Sequence, residues 1–351
     1  MSTRSTETST PPAGGVAVTA HCVHVPGAGD GPEAAAPAGD AAARAVLAAA
    51  EPACGPDQAH TVLGRKGLLF KEPATRLALC AVHRALGLPP GRLAEPLPGA
   101  GSTAVVVSSN LGNVQTVRDV AATMRAGSAH DVSPLNGPNA SSNVIASVIA
   151  IRYGFTGPNL MVCSGATSGL DAVRLGSLLL HGGRARRVVV VGVEPDDEVA
   201  AALAGLREDP APAGGLRAAA ACLVLEPRGP GTDLLLGPVR HHARPDDHPQ
   251  PAAGALRLVP PGAGGPSAVD VSAHLGDTYG ALGVLQLALA ASWLTAGDHP
   301  DGPDSPGGEY SGGGHPDGER RSALVTCGDA EDGYASVRLG RVRVPVPAGR
   351  A

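Results

Sequence analysis

The residues best placed for covalent chemistry lie in "NLMVCSGATSGLDAVRLG", residues 159–176, where Cys163, Ser164 and Ser168 fall between an apolar run and a helix-forming one. A thiol or hydroxyl seated where a buried strand turns into a helix faces free backbone N–H groups, which favour a thiolate and an oxyanion. Acyl transfer through a covalent intermediate uses such a nucleophile. The point of this turn, however, is Ala166, whose methyl group attacks nothing. Cys163 reads as a buried small residue closing the strand, and Ser164 and Ser168 as turn residues bonding nearby backbone. An acyltransferase or hydrolase working through Cys163 or Ser164 remains the competing reading. No histidine can be set beside them from sequence. A second cluster, "HHARPDDH", carries His241, His242, Asp246, Asp247 and His248. Its spacing matches no common zinc pattern and its setting is Pro-rich, so it reads as a solvated loop. Six cysteines at 22, 54, 80, 163, 222 and 327 include no C-x-x-C pair, which excludes a zinc ribbon or disulfide framework and fits a reducing cytoplasm. No metal and no cofactor are expected.

The elements that must position these groups alternate between strand and helix. "VAVTAHCVHVP" is β-branched and stopped by Pro26 and Gly27, "AAARAVLAAA" offers a short helix, and "EPATRLALCAVHRALGL" has Leu77, Cys80, Ala81 and Leu86 at helical spacing. "STAVVVSSN" reads as a buried strand. "NVQTVRDVAATMRAG" and "NASSNVIASVIAIRYG" read as helices, the second with oxygen acceptors at its start. The opening stretch then supplies strand, turn, helix and the strand "RRVVVVGVE", followed by a short helix "EVAAALAGL". Strands are expected in "LRAAAACLVLEP", "DLLLGPVRHH" and "SAVDVSAHLG", with loop at 243–266. "GALGVLQLALAASWL", about fifteen apolar residues, reads as a buried helix, short of the roughly 18–20 needed to span a bilayer. "SALVTCGDAEDGYASVRLGRVRV" closes the chain as two strands around a turn. The pattern implies an α/β fold with largely parallel, buried sheets. An internal echo of strand, glycine-bearing turn and small-residue helix, at 159–180 and 268–294, suggests two related halves. The expected divisions are a disordered tail 1–15, an N-terminal half 16–215, a C-terminal half 216–345 with a flexible loop at 297–320, and a tail 346–351.

Hydrophobic residues make up 43% of the 351 but aromatics only 2%, so the core must be built from Val, Leu, Ala and Ile. A net charge of −5 carries no basic footprint, which excludes nucleic acid as an expected partner. The polar start "MSTRSTETSTPPAGG" has no signal-peptide pattern, so a protein without a membrane association, in the cytoplasm, is expected. The glycines of 27–32 lack the strand–helix context of a nucleotide site. "RKG" at 65–67 fits either an acidic carrier protein or plain surface.

Several segments resemble the β-ketoacyl synthases of the thiolase fold. "FTGPNLMVCSGATSGLDAVRLGSLLLHGGRARRVVVVGVE" is similar to the segment carrying that family's nucleophile. "VAVTAHCVHVPGAG" looks like its first strand, "HLGDTYGALGVLQLALAASWL" like its C-terminal Gly-His motif and helix, and "ALVTCGDAEDGYASVRLG" like its last strands. The resemblance spans about 16–345. It implies a thiolase-like five-layer α-β-α-β-α fold of two similar halves, paired into a dimer. It places the family's cysteine at Ala166, its second histidine at Asp277 and its lysine at Ser272; the first histidine, of a His-Gly-Thr run, has no counterpart in 227–270. An aspartate donates nothing to a developing enolate at neutral pH. The resemblance thus implies a site that performs no condensation alone, as in chain-length factors, which lack the cysteine and pair with an active ketosynthase. "LGRKGLLFKEPATRLALCAVHRAL" and "AVVVSSNLGNVQTV" look like that branch, although glutamine is the usual replacement there and Ala166 departs from it. The implied partners are a ketosynthase subunit, in a heterodimer rather than a homodimer, and an acyl carrier protein. Residues 133–149 then fall at the subunit interface, with Asn136, Asn139 and Ser142 as candidate tunnel-lining side chains; plain helix packing is the alternative. A scaffold that only binds the carrier protein is a third reading.

Overall fold

A computed structural model describes residues 14–27, 41–48, 50, 52–93, 95–207, 215–244, 247–248, 251–252, 254–265, 268–296 and 321–342. The expected loop 297–320, the tail 346–351 and most of the tail 1–15 lie outside the described residues. The strands are β1 (Val16–His24), β2 (Thr103–Ser108), β3 (Asn159–Val162), β4 (Arg187–Glu194), β5 (Ala219–Pro227), β6 (Leu234–Leu236), β7 (Arg240–His242), β8 (Leu256–Val259), β9 (Ala268–Asp270), β10 (Ser322–Asp329) and β11 (Gly333–Arg341). The helices are α1 (Ala41–Leu47), α2 (His60–Leu63), α3 (Pro73–Ala85), α4 (Val114–Ala126), α5 (Val144–Tyr153), α6 (Ser168–His181), α7 (Glu198–Ala204), α8 (Val271–Leu275) and α9 (Leu282–Ala296).

The strands lie in the order β3-β2-β4-β5-β1-β6-β11-β10-β8-β9, with β7 beside β11. Two halves of identical plan meet where β1 pairs with β6. Taken from either outer edge inward, two parallel pairings are followed by two antiparallel ones: β3-β2-β4 then β5-β1, and β9-β8-β10 then β11-β6. The echo between 159–180 and 268–294 thus falls on equivalent parts, β3 with α6 and β9 with α9. The sheets are mixed rather than largely parallel, because β5 and β11 each run back against the strand before them. An apolar run carries no sign of its direction, so this could not be read from composition.

Side chains facing inward from both halves, such as Val190, Leu223, Val325 and Val337, pack on α6 and α9. The two helices cross in close contact at paired glycines: a Cβ on Gly169 would come within 2.8 Å of the Gly283 nitrogen, and one on Gly283 within 2.8 Å of the Leu170 nitrogen. Helix α9 is apolar on all sides because it is buried on all sides. With its first 3-10 turn it runs 18 residues, Tyr279–Ala296, longer than the fifteen-residue run and, among the described residues, long and apolar enough to cross a membrane; yet 72% of it is buried inside the protein. On the outer face of the first half, Val105, Val107 and Val191 pack under α3 and α5, against Leu77, Ile145 and Ile149.

Three expectations are corrected. The stretch 243–266 contains β8, where Leu256 and Leu258 face the core and alternate with Arg257, a short period-two pattern concealed by the surrounding Gly and Pro. "DLLLGPVRHH" is two strands, broken at Gly237 and Pro238. "SAVDVSAHLG" is strand only to Asp270, whose carboxylate accepts from the Ser272 and Ala273 N–H groups and starts α8.

Candidate functional site

Strand β3 ends at the sheet edge, and Gly165–Thr167 make a tight 3-10 turn into α6. Gly165 has φ +69, and a Cβ there would fall 1.9 Å from Asp332 Oδ2. The turn is clamped by Asn110, which donates from Nδ2 to the Gly165 carbonyl (2.9 Å) and accepts at Oδ1 from the Gly165 N–H (3.1 Å) and the Ser168 hydroxyl (3.1 Å). Ala166 is buried, and its N–H donates to Asp332 Oδ2 at 2.7 Å. The Ala166 N–H, a backbone donor at the apex that could hold an oxyanion, is therefore engaged by the chain's own carboxylate.

Asp332 is held in turn. Its N–H and that of Glu331 donate to Asp329 Oδ1, at 2.7 and 3.1 Å, in the turn joining β10 to β11. Arg207 bridges Asp329 Oδ2 (2.8 Å) and Asp277 Oδ2 (2.9 Å), and its guanidinium lies 3.9 Å from the centre of the Tyr279 ring. Asp277 also accepts at Oδ1 from the Tyr279 N–H (2.8 Å), where the backbone takes φ 36, unusual for a residue with a side chain. A continuous chain of contacts thus joins Ala166 to Asp277 through Asp332, Asp329 and Arg207. Ser272 lies outside it, buried, with a hydroxyl that has no hydrogen-bond partner. At the end of β4 the fully buried Glu194 accepts from the Ser109 hydroxyl and the Asn110 and Leu111 N–H groups, at 3.0, 2.7 and 3.0 Å. Burial pushes its pKa up to about 7, against the pull of those donors.

Cys163 is exposed rather than buried. Because β3 is an edge strand, its end is left open among the described residues. The thiol donates to the Ser109 carbonyl at 3.1 Å, and its pKa is raised by desolvation and then by the Glu194 carboxylate, both unfavourable to a thiolate. Ser164 donates to Asp171 Oδ2 at 2.6 Å, and Thr167 to the same oxygen at 2.9 Å. Of the "HHARPDDH" histidines, His241 and His242 are on β7, not in a loop, and they diverge, whereas His248 lies beyond the strand. His241 Nε2 meets Asp171 Oδ1 at 2.7 Å, whereas His242 Nε2 meets the Ser336 hydroxyl at 2.6 Å. His241 therefore lies on the far oxygen of Asp171 from Ser164, the reverse of a serine–histidine–aspartate order. Asp246 lies outside the described residues. Of the interface candidates, Asn136 and Ser142 are exposed, while Asn139 is buried and donates from Nδ2 to the Phe70 carbonyl at 2.7 Å.

The fold also gathers residues that spacing had kept apart. His24, Cys54 and Cys80 offer ligand atoms within 4.8 Å of one another. Both ring nitrogens of His24 are engaged, however: Nε2 on the Cys54 carbonyl at 3.0 Å and Nδ1 facing the donor Arg84 Nη1 at 3.4 Å. Binding a metal at Nε2 would put a proton on Nδ1 against that guanidinium, so the trio reads as packing. Sequence reasoning missed Arg207, Asp329 and Asp332; their only signal was an acidic turn, "GDAEDG", between two apolar strands.

Residues 40–205 match the family described as the beta-ketoacyl synthase N-terminal domain. Comparison with curated protein sequences gives no match. Among solved structures, the ishigamide ketosynthase/chain length factor aligns with TM-score 0.63 at 20% identity, over 94% of this chain and 99% of the other. A type II polyketide synthase ketosynthase, in complex with its acyl carrier protein and bound to the hexaketide, aligns with TM-score 0.64 at 14% identity, over 94% and 100%. The chain has the thiolase-like ketosynthase fold. The oxazolomycin ketosynthase domain of Streptomyces albus aligns with this ketosynthase-like chain at TM-score 0.57 and 14% identity, over 96% of it and 76% of the domain.

Proposed function

We propose that this chain is a non-catalytic, chain-length-factor-like subunit that pairs with an active ketosynthase in type II polyketide or fatty-acid-like biosynthesis and shapes its acyl tunnel. The observation that carries this reading is the state of the nucleophile turn: a methyl group at Ala166, with its N–H closed by Asp332. Asp277, at the position the resemblance assigns to a histidine, is tied into an ion pair with Arg207 and offers no proton to a developing enolate. Capture of an acyl chain and decarboxylation both lack their groups.

Pairing is supported by the surface around β3. Among the described residues its outer edge is unpaired, and it is half-buried; the apolar side chains of Ile151 and Leu178, on the two helices that pack against it, are exposed. A partner that covers the strand edge removes an aggregation hazard. Asn136 and Ser142, free at the surface, are then the side chains that meet the partner, while Asn139 supports the loop from within. The acyl carrier protein is the second partner, docking on the assembled pair. Catalysis through Cys163 or Ser164 is disfavoured by the raised thiol pKa and by the placement of His241. The experiment is co-expression with an intact ketosynthase: the reading expects co-purification and product only from the pair. Condensation of chains of unchanged length by the partner alone would leave only the scaffold role.

A further inference from the structure

The His24, Cys54 and Cys80 group is a poor metal site, but it sets two thiols beside each other, their sulfurs within 4.8 Å. They come from elements of different character. Cys80 is in the middle of α3 and fully buried, its thiol directed at the Ala59 carbonyl at 4.0 Å. Cys54 is half-buried, on the loop that passes over α3 between the Pro26–Ala53 bridge and the 3-10 turn Pro56–Gln58. Its Sγ faces His24 Nε2 at 4.0 Å. Cys22 and Cys222, direct partners across β1 and β5, are buried under the same helix, and Cys327 is buried in the core between the halves. Cys54 is therefore a reachable thiol with a second sulfur behind it. Burial pushes the Cys80 thiol up, and the neighbouring Cys54 sulfur adds to that, so Cys80 stays protonated and is no first target for an oxidant.

We propose that Cys54 and Cys80 are a redox-sensitive pair, closed into a disulfide by a hydroperoxide and reopened by a dithiol, and that the bond fixes the 53–58 loop to α3. In the first step the Cys54 thiolate attacks one peroxide oxygen. An S–O bond forms, the O–O bond breaks, and the leaving hydroxide takes the thiol proton as water; sulfur is oxidised to a sulfenic acid and the peroxide is reduced. In the second step the Cys80 sulfur attacks Cys54. The S–S bond forms, the S–O bond breaks, and hydroxide leaves with the Cys80 proton as a second water. Two thiols and one hydrogen peroxide thus give one disulfide and two waters. A disulfide needs its sulfurs at about 2.05 Å, so Cys54 must swing inward and carry the loop with it. Bonds that form and open in this way sense oxidants rather than staple a fold. The pair lies on the face of the sheet opposite α6, apart from the Ala166 turn, and does not depend on the function proposed for that turn.

The test treats the full, reduced chain with hydrogen peroxide, then denatures it, alkylates it with iodoacetamide and digests it without reduction. Loss of alkylation at Cys54 and Cys80 is expected, with a linked peptide joining them, and dithiothreitol is expected to restore both thiols. With Cys80→Ala the reaction is expected to stop at the first step, leaving a sulfenic acid on Cys54 that dimedone labels. Should that variant fail to fold, Cys54→Ala, at the half-buried loop position, is expected to leave Cys80 alkylated after peroxide. Cys163→Ala, at the sheet edge, leaves the link intact. Amide hydrogen exchange over residues 53–63 is expected to slow in the oxidised chain and to recover on reduction, which reads the fixing of the loop. Cys54 and Cys80 still alkylated after peroxide, Cys54 linked to another cysteine, or a link that forms as readily in urea as in the folded chain overturns the proposal. Unchanged exchange in a linked chain overturns the fixing of the loop.

Discussion

Replacing Arg207 by methionine keeps most of its aliphatic stem but removes the cation shared by Asp277 and Asp329. Both carboxylates are nearly inaccessible, with side-chain exposures of 2% and 7%, and the guanidinium itself is 14% exposed. Breaking a buried ion pair from one side costs about 3–5 kcal/mol, because the remaining charge is left unpaired. Here two charges are left. At roughly 2.1 cal/mol/K of unfolding entropy per residue, a chain of this length loses about 4–7 °C of melting temperature for that cost. Differential scanning calorimetry of Arg207→Met reads it directly. Removing the orphaned charges as well, in Arg207→Met/Asp277→Asn/Asp329→Asn, is expected to recover much of the loss, since the penalty comes from unpaired carboxylates. A single variant within about 1 °C of the parent, or a triple variant no better than the single, refutes the argument that this cluster is held by its charges.

Other consequences follow from the same geometry. Ala166→Cys alone is expected to alkylate slowly with iodoacetamide at neutral pH, because Asp332 holds the adjacent N–H; adding Asp332→Asn is expected to move the pH–rate profile of alkylation to lower pH. Glu194 has its folded pKa raised to about 7 from 4.5, so its contribution is most favourable below about pH 4.5 and is lost as pH rises through about 7. Glu194→Gln is therefore expected to flatten the fall in melting temperature between those values, measured across a buffer series. Gly283→Ala places a methyl 2.8 Å from the Leu170 nitrogen, and an overpacking cost of about 1–3 kcal/mol is expected in urea denaturation.

What could be read from sequence was local. The strand, the small-residue turn and the helix of 159–181 declare themselves because each occupies contiguous residues with its own period, and Ala166 lies in that turn. The doubled architecture was audible in the same way, as two copies of one local pattern. What escaped depends on distant pairings. The antiparallel return of β5 is set by partners such as Val16 and Pro227, and the Asp332 contact spans 166 residues. His241 looked like loop until β7 carried it to Asp171, 70 residues away in sequence. Cys163 looked buried because an apolar strand precedes it; that β3 is an edge strand is a property of the sheet, not of the segment.

The most direct measurement of the central claim is intact-mass analysis of the purified, solitary chain after incubation with an acyl thioester and denaturation. No added acyl mass is expected, because Ala166 presents no nucleophile. A stable adduct, mapped by peptide digestion to Cys163 or Ser164, would contradict the account.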